Sequence, residues 1–195
     1  RRRKTVNTPH SQPLIPAPPL PSHRLSVLIS EEEIQKRIEE LSQELAADFR
    51  DKDPVVICVL KGAFIFVADL TRRMNFPVTT EFIRVSSYGN NVVTSGEVKL
   101  ELDLANSVSN RHVILVEDIV DTGLTLQYLR ANLQARNPAS VKVCALLHKP
   151  ENNVKLSTID YLGFRIPGKF VVGYGLDYQG YYRNLPYIAQ IQDLQ

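Results

Sequence analysis

Two kinds of apolar spacing take turns along the chain. Ile34, Ile38, Leu41, Leu45 and Phe49 recur every three or four positions, which gathers them on one face of a helix running to about Arg50. Ser30, with Glu33 three residues later, forms a capping-box pattern at its start. Pro54–Leu60 (PVVICVL) has the other character: short, unbroken and β-branched, as suits a strand buried on both faces. The alternation continues with a helix over Ala63–Met74 and a strand over Val78–Val85. His112–Val116 reads as a second buried strand, about Thr125 to Arg136 as a helix ended by Asn137-Pro138, and Val141–Leu147 as the next strand. Ser86–Gly96 (SSYGNNVVTSG), rich in Gly, Ser and Asn, reads as a long mobile loop. Strands alternating with helices predict an α/β domain, its sheet parallel and its crossovers right-handed.

The first residues break this pattern. Six of the twelve prolines fall within residues 1–24, and PLIPAPPLP favours extended polyproline II over any packed element. The chain of 195 residues therefore divides into a Pro-rich basic extension, 1–26, expected to be flexible, and one domain over 27–195. Charge divides the same way: the formal net charge is +2, but residues 1–24 carry +5 and the remainder −3. A slightly acidic body lacks the footprint of a general nucleic-acid binder, so no nucleic-acid partner is expected. Apolar runs of about seven residues fall short of the ~18–20 that a membrane span needs, so no membrane partner is expected either. Cys58 and Cys144 sit singly inside apolar runs, which predicts buried free thiols in a reducing, cytoplasmic compartment and neither a disulfide framework nor a zinc site.

Ligands of open α/β sheets bind beyond the carboxyl ends of the strands. Three strand ends here carry polar residues: Lys61-Gly62, Glu117 through Thr125 (EDIVDTGLT), and His148-Lys149. The middle one is the strongest signal. Three carboxylates within five residues at a strand mouth repel one another unless something polar or cationic lies among them. Asp121-Thr122-Gly123-Leu124-Thr125 enters a helix with one glycine and two hydroxyls, a turn able to aim backbone N–H groups at a phosphate. Glu117 and Asp118 can accept hydrogen bonds from a vicinal diol, so the stretch suggests a sugar phosphate. Asp-Thr-Gly is also the aspartic-protease signature, but those enzymes are β-rich and need a second such loop, whereas here a helix follows. GFRIPGK nearly matches a phosphate-binding P-loop, yet Phe170 stands where Ser or Thr is needed and a strand-like FVV follows. Gly173, Gly175 and Gly180 have the wrong spacing for a dinucleotide fingerprint. The four histidines show no ligand spacing.

VILVEDIVDTGLTL resembles the phosphoribosyl-pyrophosphate motif of type I phosphoribosyltransferases. With VLKGAFIF, FIRVSSYGN, LLHKP and GKFVVGYGLDYQGYYRNLPYI in the same order, residues 27–191 resemble the hypoxanthine-guanine phosphoribosyltransferase family. The resemblance implies the type I fold: a mostly parallel central sheet flanked by helices, with a small hood and a mobile active-site loop. It implies that Asp121, Thr122, Gly123, Leu124 and Thr125 hold the 5-phosphate, and that Glu117 and Asp118 bind the ribose hydroxyls directly or through Mg²⁺. Lys61 and Gly62, after a Leu60–Lys61 peptide often cis in this family, and Arg183 would meet the pyrophosphate. Lys149, Phe170 and Val171 would bind the purine, beside Asp177, which would hold a second Mg²⁺. Ser87 and Tyr88 would belong to the closing loop. Leu124 stands where certain members have Lys, and Gly168 where an acid often stands.

The implied reaction moves the phosphoribosyl group of phosphoribosyl pyrophosphate to a free 6-oxopurine, hypoxanthine or guanine, and the implied assembly is a homodimer or homotetramer. Asp121 is the expected general base, and Lys149 the donor that favours a 6-oxo group over the 6-amino group of adenine. Two other readings stay open at this level: a nucleotide-sensing RNA-binding regulator of the same fold, and a xanthine-preferring enzyme.

Overall fold

The computed structural model describes residues 24–87, 98–150 and 159–192. Six strands form the main sheet in the order β4-β3-β2-β5-β6-β7, comprising β2 (Val55–Leu60), β3 (Thr79–Ser87), β4 (Val98–Leu102), β5 (His112–Val120), β6 (Ser140–His148) and β7 (Tyr161–Arg165). All neighbours run parallel except β3 and β4, which pair antiparallel along one edge. Alternate residues of β2, β5 and β6 face opposite ways into two apolar layers, which is why these strands read as unbroken apolar runs. Val56, Cys58, Ile114, Val116, Cys144 and Leu146 meet helices α1 (Glu31–Phe49) and α2 (Phe64–Arg73). Val55, Ile57, Val113, Leu115, Val143 and Ala145 meet α3 (Leu124–Gln134).

Helix α1 follows its sequence pattern closely. Its five periodic residues are all buried, each stabilising the layer by roughly 1.5–3 kcal/mol. The capping box is present in both directions: Ser30 Oγ accepts from Glu33 N–H, and Glu33 accepts from Ser30 N–H at 2.8 Å. Both cysteines are free and buried.

A second, smaller sheet of order β1-β9-β8 forms the expected hood from β1 (Leu25–Ile29), β8 (Val171–Val172) and β9 (Ile188–Ile191). Leu25 and Ser26, which the division at residue 26 left to the extension, already pair with Ile191 and Gln190. Hood strands of two to five residues are too short to display a period, and β4 lies half exposed at a sheet edge, so neither announced itself in the pattern.

One correction bears on the site. Strand β5 does not stop at Val116 but runs to Val120, so Glu117 and Asp118 are strand residues and not part of a turn. Their ladder with β6 continues through Glu117–Ala145 to Val120–His148, whereas the pairing of β5 with β2 ends at Val116–Cys58. Beyond that point the β2-facing edge of β5 is open. The chain leaves β2 toward β3 on one side and later adds β5 on the other, which makes this opening the switch point where ligands of such sheets bind. No helix among the described residues is long and apolar enough to cross a membrane.

Candidate active site

Three adjoining cavities follow the open end of the sheet. The smallest, 80 Å³, is the cradle between β5 and α3, lined by Glu117, Asp121, Thr122, Gly123 and Thr125 among others. Gly123 has φ +75°, a left-handed conformation that turns the chain from strand into helix and that side chains adopt at a cost. Gly123, the residue before α3, has no side chain with which to cap it, and the helix begins beside this cavity. Amides at a helix start, with the positive end of its dipole, make a ready anion site. Leu124 is not among the residues that line this cavity and stands 44% exposed.

The middle cavity, 280 Å³, shares Glu117 and Thr125 with the cradle and adds Lys61, Gly62, Asp118, Asp177 and Arg183. The Leu60–Lys61 peptide is cis, as the resemblance implied. The Gly62 backbone lies against the Asp118 carboxylate so closely that an added Cβ would sit 1.6 Å from Asp118 Oδ2. Burial and the neighbouring Asp118 charge push the Glu117 carboxyl well above the usual carboxylate range. Burial also raises Asp118, to about 6, against the lowering effect of backbone N–H bonds from Ile119 and from its own residue and of nearby Arg183. Glu117 Oε2 is buried without a hydrogen-bond partner among the described residues.

Two adjacent carboxylates, one carrying an orphaned oxygen, fit a diol or a divalent cation bound with it. Among the described residues no three His, Cys, Asp or Glu side chains converge as a closed metal cluster. The expected metal residues Glu117, Asp118 and Asp177 line one cavity without forming such a set, because Asp177 is turned to Arg183 Nη2 at 2.5 Å and accepts from Gly180 N–H at 2.7 Å. That arrangement suits Mg²⁺, which keeps its waters and is held by one or two carboxylates together with substrate phosphates.

The third cavity, 220 Å³, shares Asp118, Asp177 and Arg183 with the second and adds Asp121, Lys149, Phe170 and Val171. Lys149, at the end of β6, is nearly buried, and its ammonium lies 3.2 Å from Asp121 Oδ2. Phe170 stands 46% exposed, edge-on to Tyr178 at 5.6 Å between ring centroids, an open aromatic face at the cavity wall. Val171 belongs to β8, an edge strand of the hood sheet. Of the loop residues, Ser87 ends β3, while Tyr88 and most of the expected mobile loop lie outside the described residues.

One residue of this region stood at a polar strand end in the sequence but received no role there. His148, next to Lys149, is 2% exposed with neither ring nitrogen hydrogen-bonded among the described residues, and burial with nearby Arg165 lowers its pKa. Burial thus disfavours its charged form, and its lack of ligand spacing is why it received no role from the sequence. A larger groove of 540 Å³ beside α1, lined by Glu39, Gln43, Arg50 and Arg73 among others, contains none of these residues.

The family model of the phosphoribosyl transferase domain matches residues 29–179. The hypoxanthine-guanine phosphoribosyltransferase of Bacillus subtilis is 49% identical over 166 residues, covering 85% of this chain and 92% of that protein. Its namesake from Mycobacterium avium is 46% identical over 185 residues, covering 92% and 91%. A crystal structure of a hypoxanthine-guanine phosphoribosyltransferase from Bacillus anthracis, with a HEPES molecule in its active site, superposes with a TM-score of 0.80 at 47% identity, covering 85% of this chain and 98% of that one. With a mostly parallel sheet, a hood and a switch-point site already in place, the chain belongs to the hypoxanthine-guanine phosphoribosyltransferase family and carries the type I phosphoribosyltransferase fold.

Proposed function

We propose that this chain transfers the 5-phosphoribosyl group of phosphoribosyl pyrophosphate to hypoxanthine or guanine, forming IMP or GMP and releasing pyrophosphate. The observation that carries this reading is the Lys149–Asp121 pair on the wall of the third cavity, directly beyond the phosphate cradle. A 6-oxopurine offers a carbonyl acceptor next to an imidazole nitrogen that carries or shares a proton. An ammonium and a carboxylate 3.2 Å apart match that pair of groups, donor to acceptor and acceptor to donor. Adenine would set its amino donor against the Lys149 donor, leaving both unpaired in a nearly buried place, which is the strongest kind of discrimination a pocket exerts.

In this reading the 5-phosphate rests on the amides of Thr122 through Thr125, and Glu117 and Asp118 take the ribose hydroxyls. The purine lies against Phe170, with the backbone of Val171 at its edge. As the purine nitrogen attacks C1 of the ribose, the bond from C1 to the pyrophosphate oxygen breaks and Asp121 takes the proton the purine gives up. Positive charge grows on the sugar near Glu117 and Asp118, while Lys61 and Arg183 face the negative charge growing on the leaving group. Mg²⁺, held by Glu117 and Asp118 and, at a second position, by Asp177 together with donor oxygens, would neutralise pyrophosphate charge. The same reading takes the assembly as a homodimer or homotetramer, supported by the exposed apolar side chains Phe64, Phe82 and Leu102.

Steady-state assays of the full chain with phosphoribosyl pyrophosphate, Mg²⁺ and one base at a time test the proposal. Hypoxanthine and guanine are expected to turn over and adenine not. Adenine used as well as hypoxanthine would overturn it, and xanthine as the preferred base would correct the specificity.

A further inference from the structure

The hood loop that carries Asp177 and Arg183 is held by a contact outside the three cavities. Gly173 and Leu176 exchange backbone hydrogen bonds at 3.0 and 3.1 Å, closing a two-residue turn on Tyr174 and Gly175. Both have positive φ, +48° and +100°. Turns of that kind favour Asn-Gly, Asp-Gly or Gly-Gly, and a bulky residue at the first position is a conformational outlier. Tyr174 occupies it nonetheless, 2% exposed, its phenol donating to Asp69 Oδ2 on α2 at 2.5 Å. The same Asp69 oxygen accepts from Gln35 Nε2 of α1 at 3.2 Å, and Gln35 Oε1 accepts from Arg73 at 2.5 Å. Burial and the Asp69 carboxylate raise the phenol's pKa, so it remains a donor.

The other half of this turn faces the site. A Cβ on Gly175 would lie 2.0 Å from the Gly62 carbonyl oxygen, so this backbone rests directly on the Lys61-Gly62 turn. Gly175 O accepts from Arg183 Nη1 at 2.6 Å, and Gly175 N–H donates to Arg183 O at 2.9 Å. Helix α2 begins two residues after Gly62 and carries Asp69 at its sixth position. The phenol therefore closes a triangle of the hood turn, α2 and the Lys61-Gly62 turn.

We infer that Tyr174 and Asp69 are positioning residues for the pyrophosphate side of the site: their hydrogen bond fixes the Tyr174-Gly175 turn and, through it, Arg183 and the Lys61-Gly62 backbone. This rests on the reading of Lys61, Gly62 and Arg183 given above. Lys149 and Phe170 precede the turn in the chain and take no part in the hydrogen bonds that hold it, although Leu176, Asp177 and Arg183 also line their cavity.

The test compares Tyr174→Phe, Asp69→Ala, Asp69→Asn and the double variant Tyr174→Phe/Asp69→Ala in the full chain. Tyr174→Phe and Asp69→Ala are expected to raise KM for phosphoribosyl pyrophosphate about tenfold and KM for hypoxanthine less than twofold. Asp69→Asn, which keeps an acceptor for the phenol, should stay within twofold of the parent, and the double variant should be no worse than either single one. Amide hydrogen exchange at Tyr174 and Gly175 should quicken in the same two single variants, a readout independent of catalysis. A parent inert toward hypoxanthine would remove the functional reading and leave the exchange result standing. With an active parent, an unchanged donor KM, an equal rise in both KM values or additive effects in the double variant would overturn the inference. Should Tyr174→Phe fail to fold, the contrast between Asp69→Ala and Asp69→Asn decides it alone.

Discussion

The cradle at Asp121–Thr125 and the hood loop at Gly173–Arg183 both line the candidate site, and they are built in opposite ways. The cradle is five consecutive residues between a strand and a helix, with a single left-handed residue, Gly123. Its amides point where they do because a strand ends and a helix begins there. The hood loop strings together two tight turns, with positive φ at Tyr174, Gly175, Gln179 and Gly180, and Arg183 and Asp177 hold one another within it. Nothing local places that loop over the sheet; the Gly62 carbonyl, Asp69 and Leu185 do. Local geometry thus shapes one end of the candidate site and tertiary contacts shape the other. The two ends should then answer differently to substitution.

The largest effect should come where a cradle residue uses its side chain. Asp121→Asn removes the proton acceptor and leaves the amides in place, so kcat is expected to fall by ~10²–10⁴. The KM for phosphoribosyl pyrophosphate should stay within about threefold. Turnover within threefold of the parent would remove Asp121 as the base; a donor KM rising in step with the loss of kcat would show that the cradle does not hold phosphate by its main chain. Next in size is Lys149→Ala, which deletes a nearly buried charged donor. A charge-assisted hydrogen bond of roughly 1.5–3 kcal/mol corresponds to about a 10- to 100-fold loss in kcat/KM for hypoxanthine. Unchanged kcat/KM would take Lys149 out of the base cavity.

The same contrast governs what the sequence disclosed. The apolar periods located α1, α2, α3 and the central strands to within a few residues, because each buries a full face in one of two layers. The cradle was legible because everything it needs is contiguous. The extent of β5 was misjudged: Glu117 and Asp118 look like turn residues, and only the continuing ladder with β6, a non-local pairing, keeps them in the strand. Strands β1, β8 and β9 gave no period, since a hood strand of two to five residues is specified by its partners. Nothing in the sequence sets Tyr174 apart from the other tyrosines near it. Its significance lies in Asp69, 105 positions away, which no local pattern joins to it.

Gly175→Ala tests the tertiary side of the comparison by backbone alone. The new methyl would meet the Gly62 carbonyl, and the left-handed conformation alone costs ~1–2 kcal/mol. For a domain of this size that lowers the melting midpoint by roughly 2–8 °C. The donor KM should rise severalfold as the hood loop lifts from the Lys61-Gly62 turn. A variant that melts early with an unchanged donor KM would show that the contact is structural only.

The smallest effect should fall on Leu124, and its smallness is informative. Leu124 lies inside the cradle sequence at the first position of α3, yet nearly half of its side chain faces solvent. If amides make the grip, Leu124→Ala keeps the N–H, keeps helical φ and ψ, and should leave the donor KM within about twofold. Gly123→Ala, one residue earlier, changes no polar group either, but must hold a Cβ at φ +75°. The expected order is therefore a donor KM for Gly123→Ala clearly above that of Leu124→Ala, although leucine loses the larger side chain. The reverse order, measured at fixed Mg²⁺ with hypoxanthine saturating, would mean that side-chain bulk and not main-chain direction shapes the cradle.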